Sequence, residues 1–169
     1  MRTFNLQQEY QELAEEYVRL AKIHFGSRLW SICFFGSVVR GEATSESDLD
    51  ALVVADGLPR DVGSRFRETS SIHSNLRQSE AYRKVRSLQR RGTVSDIFLT
   101  RRETSEHPPI LLDITDHGVL AFDRDSFLKG ILESVRRRLR ELGARKVFTK
   151  KGYYWVLKPD AKPTEVVEI

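Results

Sequence analysis

Two short apolar runs set the limits on what this chain can fold into. Residues 29–35, LWSICFF, stop at Gly36, and residues 49–54, LDALVV, stop before the Asp56-Gly57-Leu58-Pro59 turn. Runs of this length with little polar alternation read as strands buried on both faces, inside a sheet covered by helices. Residues 93–99, TVSDIFL, give a third strand, and residues 118–122, GVLAF, a fourth candidate. The stretch 60–90 spaces Val62, Phe66, His73, Leu76, Val85 and Leu88 for one or two helices crossing over that sheet. Leu6, Tyr10, Leu13, Tyr17, Leu20 and His24 form one stripe of a helix over 5–24, with Asn5 and Gln8 as a capping box and Gly26 as its stop. The stripe serves either to pack on the sheet or as a dimer seam. Phe127, Ile131, Val135, Leu139 and Leu142 share a face of a helix over 125–142, and 146–149 with 153–157 read as a hairpin. The order predicts an α/β or α+β fold: a small central mixed sheet flanked by helices, with a C-terminal helix and hairpin. The expected boundaries are 1–122 for the main domain and 123–169 for the extension.

Composition excludes several classes. No apolar stretch approaches the roughly 18–20 residues of a membrane helix, and the polar start MRTFNLQQEY lacks the apolar core of a secretory signal. Cys33 is the single cysteine, so an intramolecular disulfide and a Cys-rich zinc site are ruled out, and a reducing, cytoplasmic setting fits. His24, His73, His107 and His117 have no mutual ligand spacing. The formal charge of +4 favours an anionic ligand. The basic run from Arg136 to Lys151 and the aromatics Tyr153-Tyr154-Trp155 make nucleic acid conceivable, but a solvated helix face and a half-buried strand explain them as well.

The chemistry concentrates in Gly36–Asp50, GSVVRGEATSESDLD. Asp48 and Asp50 stand two apart at the opening of a strand, so both carboxylates project to one face. Adjacent carboxylates repel unless a cation lies between them, and Mg²⁺ accepts such oxygens while keeping positions for phosphates. Gly36 lets the chain turn sharply, and a helix opening near Val38 would offer backbone N–H groups to a phosphate, with the Ser37 hydroxyl as a further donor. A Walker loop is excluded, because Glu42-Ala43 follows Gly41 where Lys-Ser/Thr is required.

Gly36-Ser37, ten residues, then Asp48-Leu49-Asp50 resembles the signature of the DNA polymerase β-type nucleotidyltransferase superfamily, and in a chain this small, its minimal, antitoxin-type branch. Arg40-Gly41 and Ser47 stand where that family has them. The resemblance is specific over 30–54 and looser towards residue 100. It implies that Asp48 and Asp50 hold two Mg²⁺ ions, that a third strand carboxylate shares one, and that Gly36, Ser37, Arg40 and Ser47 bind the nucleotide. Asp96, mid-strand between Val94 and Phe98, is the expected third carboxylate and general base. Asp113 and Asp116 are weaker candidates for that role. The implied reaction moves AMP from ATP onto a hydroxyl, with a small helical toxin as a possible protein acceptor. A catalytically weak nucleotide-binding antitoxin and an aminoglycoside-type transferase are the alternatives.

Overall fold

The computed structural model describes residues 4–149, 152–162, 166, 167 and 169. A 3-10 turn over Gln8–Tyr10 leads into helix α1 (Gln11–Phe25), strand β1 (Leu29–Phe35), the short helix α2 (Gly36–Arg40) and strand β2 (Leu49–Ala55). Helices α3 (Val62–Gln78) and α4 (Glu80–Ser87) cross to β3 (Val94–Leu99). Helices α5 (Arg101–Ser105) and α6 (Ile110–His117), strand β4 (Val119–Asp123), helix α7 (Phe127–Glu141) and the strands β5 (Arg145–Thr149) and β6 (Gly152–Val156) complete the chain.

The sheet has the order β3-β2-β1-β4. β1 is antiparallel to both of its neighbours, and β2 runs parallel to β3, so the sheet is mixed as expected. The two apolar runs are its central strands, which accounts for their lack of alternation. Each sends alternate side chains into a separate core. Ile32, Phe34, Leu49, Ala51 and Val53 pack beneath α1 and α3. Cys33, Phe35, Leu52 and Val54 pack against Leu111, Ile114, Leu128 and Val135 of α6 and α7. Tyr10, Leu13, Tyr17 and Leu20 of the first helical stripe are buried, so that stripe is packing on the sheet.

Side chains fix the helix starts. Asp61 accepts from Ser64 N at 2.7 Å to open α3, Ser79 accepts from Tyr82 N at 3.1 Å to open α4, and Thr100 with Glu103 forms a capping box on α5. Asp123 accepts from Leu128 N at 2.9 Å and Lys129 N at 3.0 Å, which seats α7.

Several sequence expectations shift. The first helix starts at Gln11, because the Gln11 side chain folds back on Phe4 and Leu6 instead of an Asn5 cap forming. The short helix begins at Gly36 and ends where Gly41 turns left-handed, φ +76°. Residues 110–117, left without an assigned element by the sequence, are helical and carry Asp113 and Asp116. Val62 and Phe66 are exposed, and α3 turns Arg65, Thr69, Ile72 and Leu76 inward instead. Burying Arg65 is tolerable because its guanidinium donates to Pro59 O, Phe98 O and the Glu103 carboxylate.

Candidate active site

Gly36 and Asp50 meet because β1 and β2 are antiparallel neighbours. Phe35, the last residue of β1, pairs with Asp50. The chain then turns into α2 through Gly36 at φ +78°, a conformation that glycine adopts without steric cost. A Cβ at Gly36 would stand 2.0 Å from Asp50 Oδ2, so the backbone of the bend lies directly against the carboxylate. The first-turn N–H groups of α2 have no acceptor within their own helix. Bend and carboxylate therefore share one small region of the molecule.

Asp50 lies on the sheet face of Leu52 and Val54, and Asp48 sits one step before the strand. Burial, and after it the charge of Asp48, push the Asp50 carboxyl above its ordinary range, while Arg40 pulls the other way. Asp48 is held from outside: Thr93 Oγ1 contacts its Oδ1, and Arg91 Nε lies 3.5 Å away. The loop before it is pinned by Tyr10, whose hydroxyl donates to Ser47 O at 3.2 Å. This pair offers hard oxygen donors whose mutual repulsion a divalent cation relieves, so Asp48 and Asp50 fit Mg²⁺. Among the described residues, no group of three or more His, Cys, Asp or Glu side chains gathers as a metal site.

The other expected residues are placed as follows. Ser37 stands in the first turn of α2. Arg40 ends that helix and pairs with Glu42 at 2.8 Å. The Ser47 hydroxyl accepts from Thr44 N at 3.0 Å and so shapes the loop. Asp96 requires a correction. Parallel register aligns Asp50 with Ser95 and Ala51 with Asp96, and aligned residues share a face. Asp96 therefore points to the opposite side of the sheet, into the α1–α3 core. There Tyr17 Oη donates to its Oδ2 at 2.6 Å, and His73 Nε2 lies 2.9 Å from the same oxygen without hydrogen-bond alignment. Val94 and Phe98 are its apolar neighbours as expected, but the acid between them takes its hydrogen bond from Tyr17, with His73 beside it, away from Asp48 and Asp50. Ser95 occupies the position beside Asp50.

Asp113 and Asp116, on α6, lie on the side of the sheet that Asp50 faces, since α6 packs on Leu52 and Val54 and touches α2. Sequence reasoning missed Thr93, Arg91 and Tyr10 as supports of this region. No local signal marks them, because each reaches the acidic loop from a distant part of the chain. A groove of about 830 Å³ between the N-terminal segment and α4, lined by Phe4, Leu6, Glu12 and Leu88, includes none of Gly36, Ser37, Asp48 or Asp50.

Comparison with known proteins places these features in context. The sequence model of the family described as "Nucleotidyltransferase domain" matches residues 13–119, more than half of the chain. A putative protein adenylyltransferase of Methanocaldococcus jannaschii is 29% identical over 133 residues, 77% of this chain and 83% of the relative. Among solved structures, a chain of a toxin–antitoxin pair with AMP-PNP aligns with a TM-score of 0.48 at 16% identity, covering 81% of this chain and 94% of that one. A chain from the complex of a tri-AMPylated Shewanella oneidensis HEPN toxin with MNT antitoxin aligns with a TM-score of 0.44 at 16% identity, covering 80% and 93%. No helix among the described residues is long and apolar enough to cross a membrane.

Proposed function

The chain belongs to the nucleotidyltransferase domain family, and from that premise we propose that it is a Mg²⁺-dependent transferase of AMP from ATP to a hydroxyl of a partner protein. The observation that carries this reading is the Gly36–Asp50 approach: a sharp glycine bend lies directly against the Asp50 carboxylate. The adenylyltransferase name of the M. jannaschii relative supports AMP as the group moved and a protein as its acceptor. The resemblance of Gly36–Asp50 to the minimal, antitoxin-type branch favours a toxin as that protein.

Asp48 and Asp50 would hold the metal. When bound, Mg²⁺ neutralises the polyphosphate and the leaving pyrophosphate. Gly36 and Ser37 bind the polyphosphate through backbone N–H groups and the hydroxyl. Arg40 adds positive charge beside Asp50. Thr93 and Tyr10 fix the acidic loop so that both carboxylates keep their direction. The acceptor hydroxyl oxygen bonds to the α-phosphorus, the bond to the bridging oxygen breaks, pyrophosphate leaves with its electron pair, and the hydroxyl proton is released to solvent. Asp96 takes no part in this step, because it faces the other side of the sheet.

The test is incubation of the chain with ATP labelled at the α-phosphate, Mg²⁺ and a lysate of its source as acceptor pool. A labelled protein and pyrophosphate are expected, and both should vanish in Asp48→Ala/Asp50→Ala. A second reading, nucleotide binding with weak transfer, is favoured by Ser95 standing where a third acid was expected. Under it the chain binds Mg-ATP in an Asp50-dependent way and releases no pyrophosphate.

A further inference from the structure

Arg91 Nε lies 3.5 Å from Asp48 Oδ1, the same oxygen that Thr93 Oγ1 contacts. The backbone of this arginine is fixed. Arg91 N donates to Ser45 O at 3.0 Å, and Thr93 O accepts from Leu49 N at 3.0 Å, so the segment before β3 is stitched to the acidic loop on both sides of Asp48. From the α4 side, Arg86 Nη1 lies 3.3 Å from Arg90 O and from Arg91 O and donates to both. Gly92 turns the chain at φ +70° against the Tyr82 ring. The Arg91 side chain, by contrast, is 53% exposed, and its contact with Asp48 is one of charges, too long for a good hydrogen bond. Neighbouring arginines are committed elsewhere: Arg90 pairs with Glu9 at 3.3 Å, and Arg40 with Glu42 at 2.8 Å. Arg65 grips Glu103 through two hydrogen bonds, whereas the Arg91–Asp48 contact is screened by water and stabilises little. A pair of this kind gives way to a divalent ion, which carries twice the charge.

Resting on the transferase reading above, we propose that Arg91 guards the metal site: it compensates Asp48 until Mg²⁺ arrives with the nucleotide, yields that carboxylate, and turns to the polyphosphate. Charge balance gives the direction of the exchange. Once Asp48 and Asp50 are neutralised by one Mg²⁺, the polyphosphate still lacks counter-charge. Arg91 already stands beside a metal-ligating oxygen, and therefore beside the phosphate oxygens that share the ion. A guanidinium matches phosphate oxygens with paired N–H groups, a better partner than one carboxylate oxygen at 3.5 Å. Metal and Arg91 thus compete for Asp48, whereas nucleotide and Arg91 act together. The site then answers to Mg-ATP more than to the free ion.

The experiment compares the full chain with Arg91→Gln, Arg91→Lys and, as a control for lost positive charge, Arg83→Gln on α4. Binding of metal alone is read with Mn²⁺ by electron paramagnetic resonance, and binding of Mg-ATP without acceptor by calorimetry. Arg91→Gln is expected to bind Mn²⁺ about 2–5-fold more tightly, the scale of a half-exposed ion pair. The same variant should bind Mg-ATP about 10-fold more weakly, the scale of one lost charged hydrogen bond. Arg91→Lys keeps the charge but not the paired N–H groups, so its Mn²⁺ binding stays at the wild-type value and its Mg-ATP binding falls in between. Arg83→Gln moves neither constant. Circular dichroism verifies that each variant is folded. Shifts of both constants in one direction, a shift in one alone, no shift, or equal shifts in Arg83→Gln overturn the inference, as does failure of both wild type and Arg91→Gln to bind Mn²⁺. If Asp48→Asn abolishes Mn²⁺ binding while Arg91→Gln changes neither constant, this inference alone falls. If Asp48→Asn/Asp50→Asn binds Mn²⁺ and Mg-ATP as the wild type does, the transferase reading falls with it.

Discussion

Gly36 and Asp50 stand so close that the smallest added side chain at residue 36 would collide with the carboxylate, its Cβ 2.0 Å from Oδ2. Gly36→Ala also meets a φ of +78°, which costs a non-glycine residue about 1–2 kcal/mol. The variant is expected to fold with a lowered melting temperature. Transfer should drop by about 10²-fold or more, the scale of a 1 Å displacement in a site. Calorimetry and a pyrophosphate assay on the same preparation check both parts.

Asp50→Asn should separate stability from activity. Burial and the Asp48 charge disfavour the Asp50 carboxylate, so the native state is strained by its ionisation at neutral pH. Because the folded carboxyl titrates above its unfolded value, that strain is present at higher pH and relieved as pH falls through the folded pKa. The neutral isostere removes it at all pH values. A gain of about 0.5–2 kcal/mol is expected in denaturant titrations at pH 7, with loss of transfer. The gain should shrink in acid.

Tyr17→Phe tests the placement of Asp96. The variant takes a buried donor from a carboxylate that has 7% of its side chain exposed. A loss of about 1–3 kcal/mol in folding free energy follows. The Mg²⁺ concentration that half-saturates transfer should stay at the wild-type value, because the Asp96 network lies behind the sheet. A changed Mg²⁺ requirement would return Asp96 to the metal site.

The Arg65–Glu103 pair makes stability depend on acid. Hydrogen bonds from Arg65 hold the Glu103 carboxyl down from 4.5 to about 2, against the opposing effect of burial and with help from Thr100. A depressed carboxyl stabilises the fold fully above its unfolded pKa, and the contribution disappears as pH falls from about 4.5 towards 2. Glu103 has 37% of its side chain exposed, so solvent screening reduces the effect to about 1 kcal/mol. Glu103→Gln should lose this amount at pH 7 and nothing at pH 2, read from urea unfolding at the two values.

The sheet and the acidic loop were legible because their signals are local. LWSICFF and LDALVV show their burial in composition, and Gly36-Ser37 with Asp48-Leu49-Asp50 shows its chemistry in spacing. The face of Asp96 was not legible. In a parallel pair, a one-residue offset decides which side a residue takes, and register follows from how α3 and α4 return the chain. The inward turn of Arg65 was hidden for a related reason, since it depends on partners at Pro59, Phe98 and Glu103. Asp113 has a poor strand context in the sequence, and helix α6 gives it a setting that the short apolar run at 110–112 cannot announce.

The back-to-back placement of Asp50 and Asp96 makes the sheet an insulating partition between two carboxylate systems. On one side the acid is left under-compensated, ready for a ligand, and on the other it is locked by a phenol. Substitutions that tune robustness can accumulate behind the wall without disturbing the chemistry in front of it. A designer seeking a third acid for the front would have to work at residue 95, because no rotamer carries the one at 96 through the backbone.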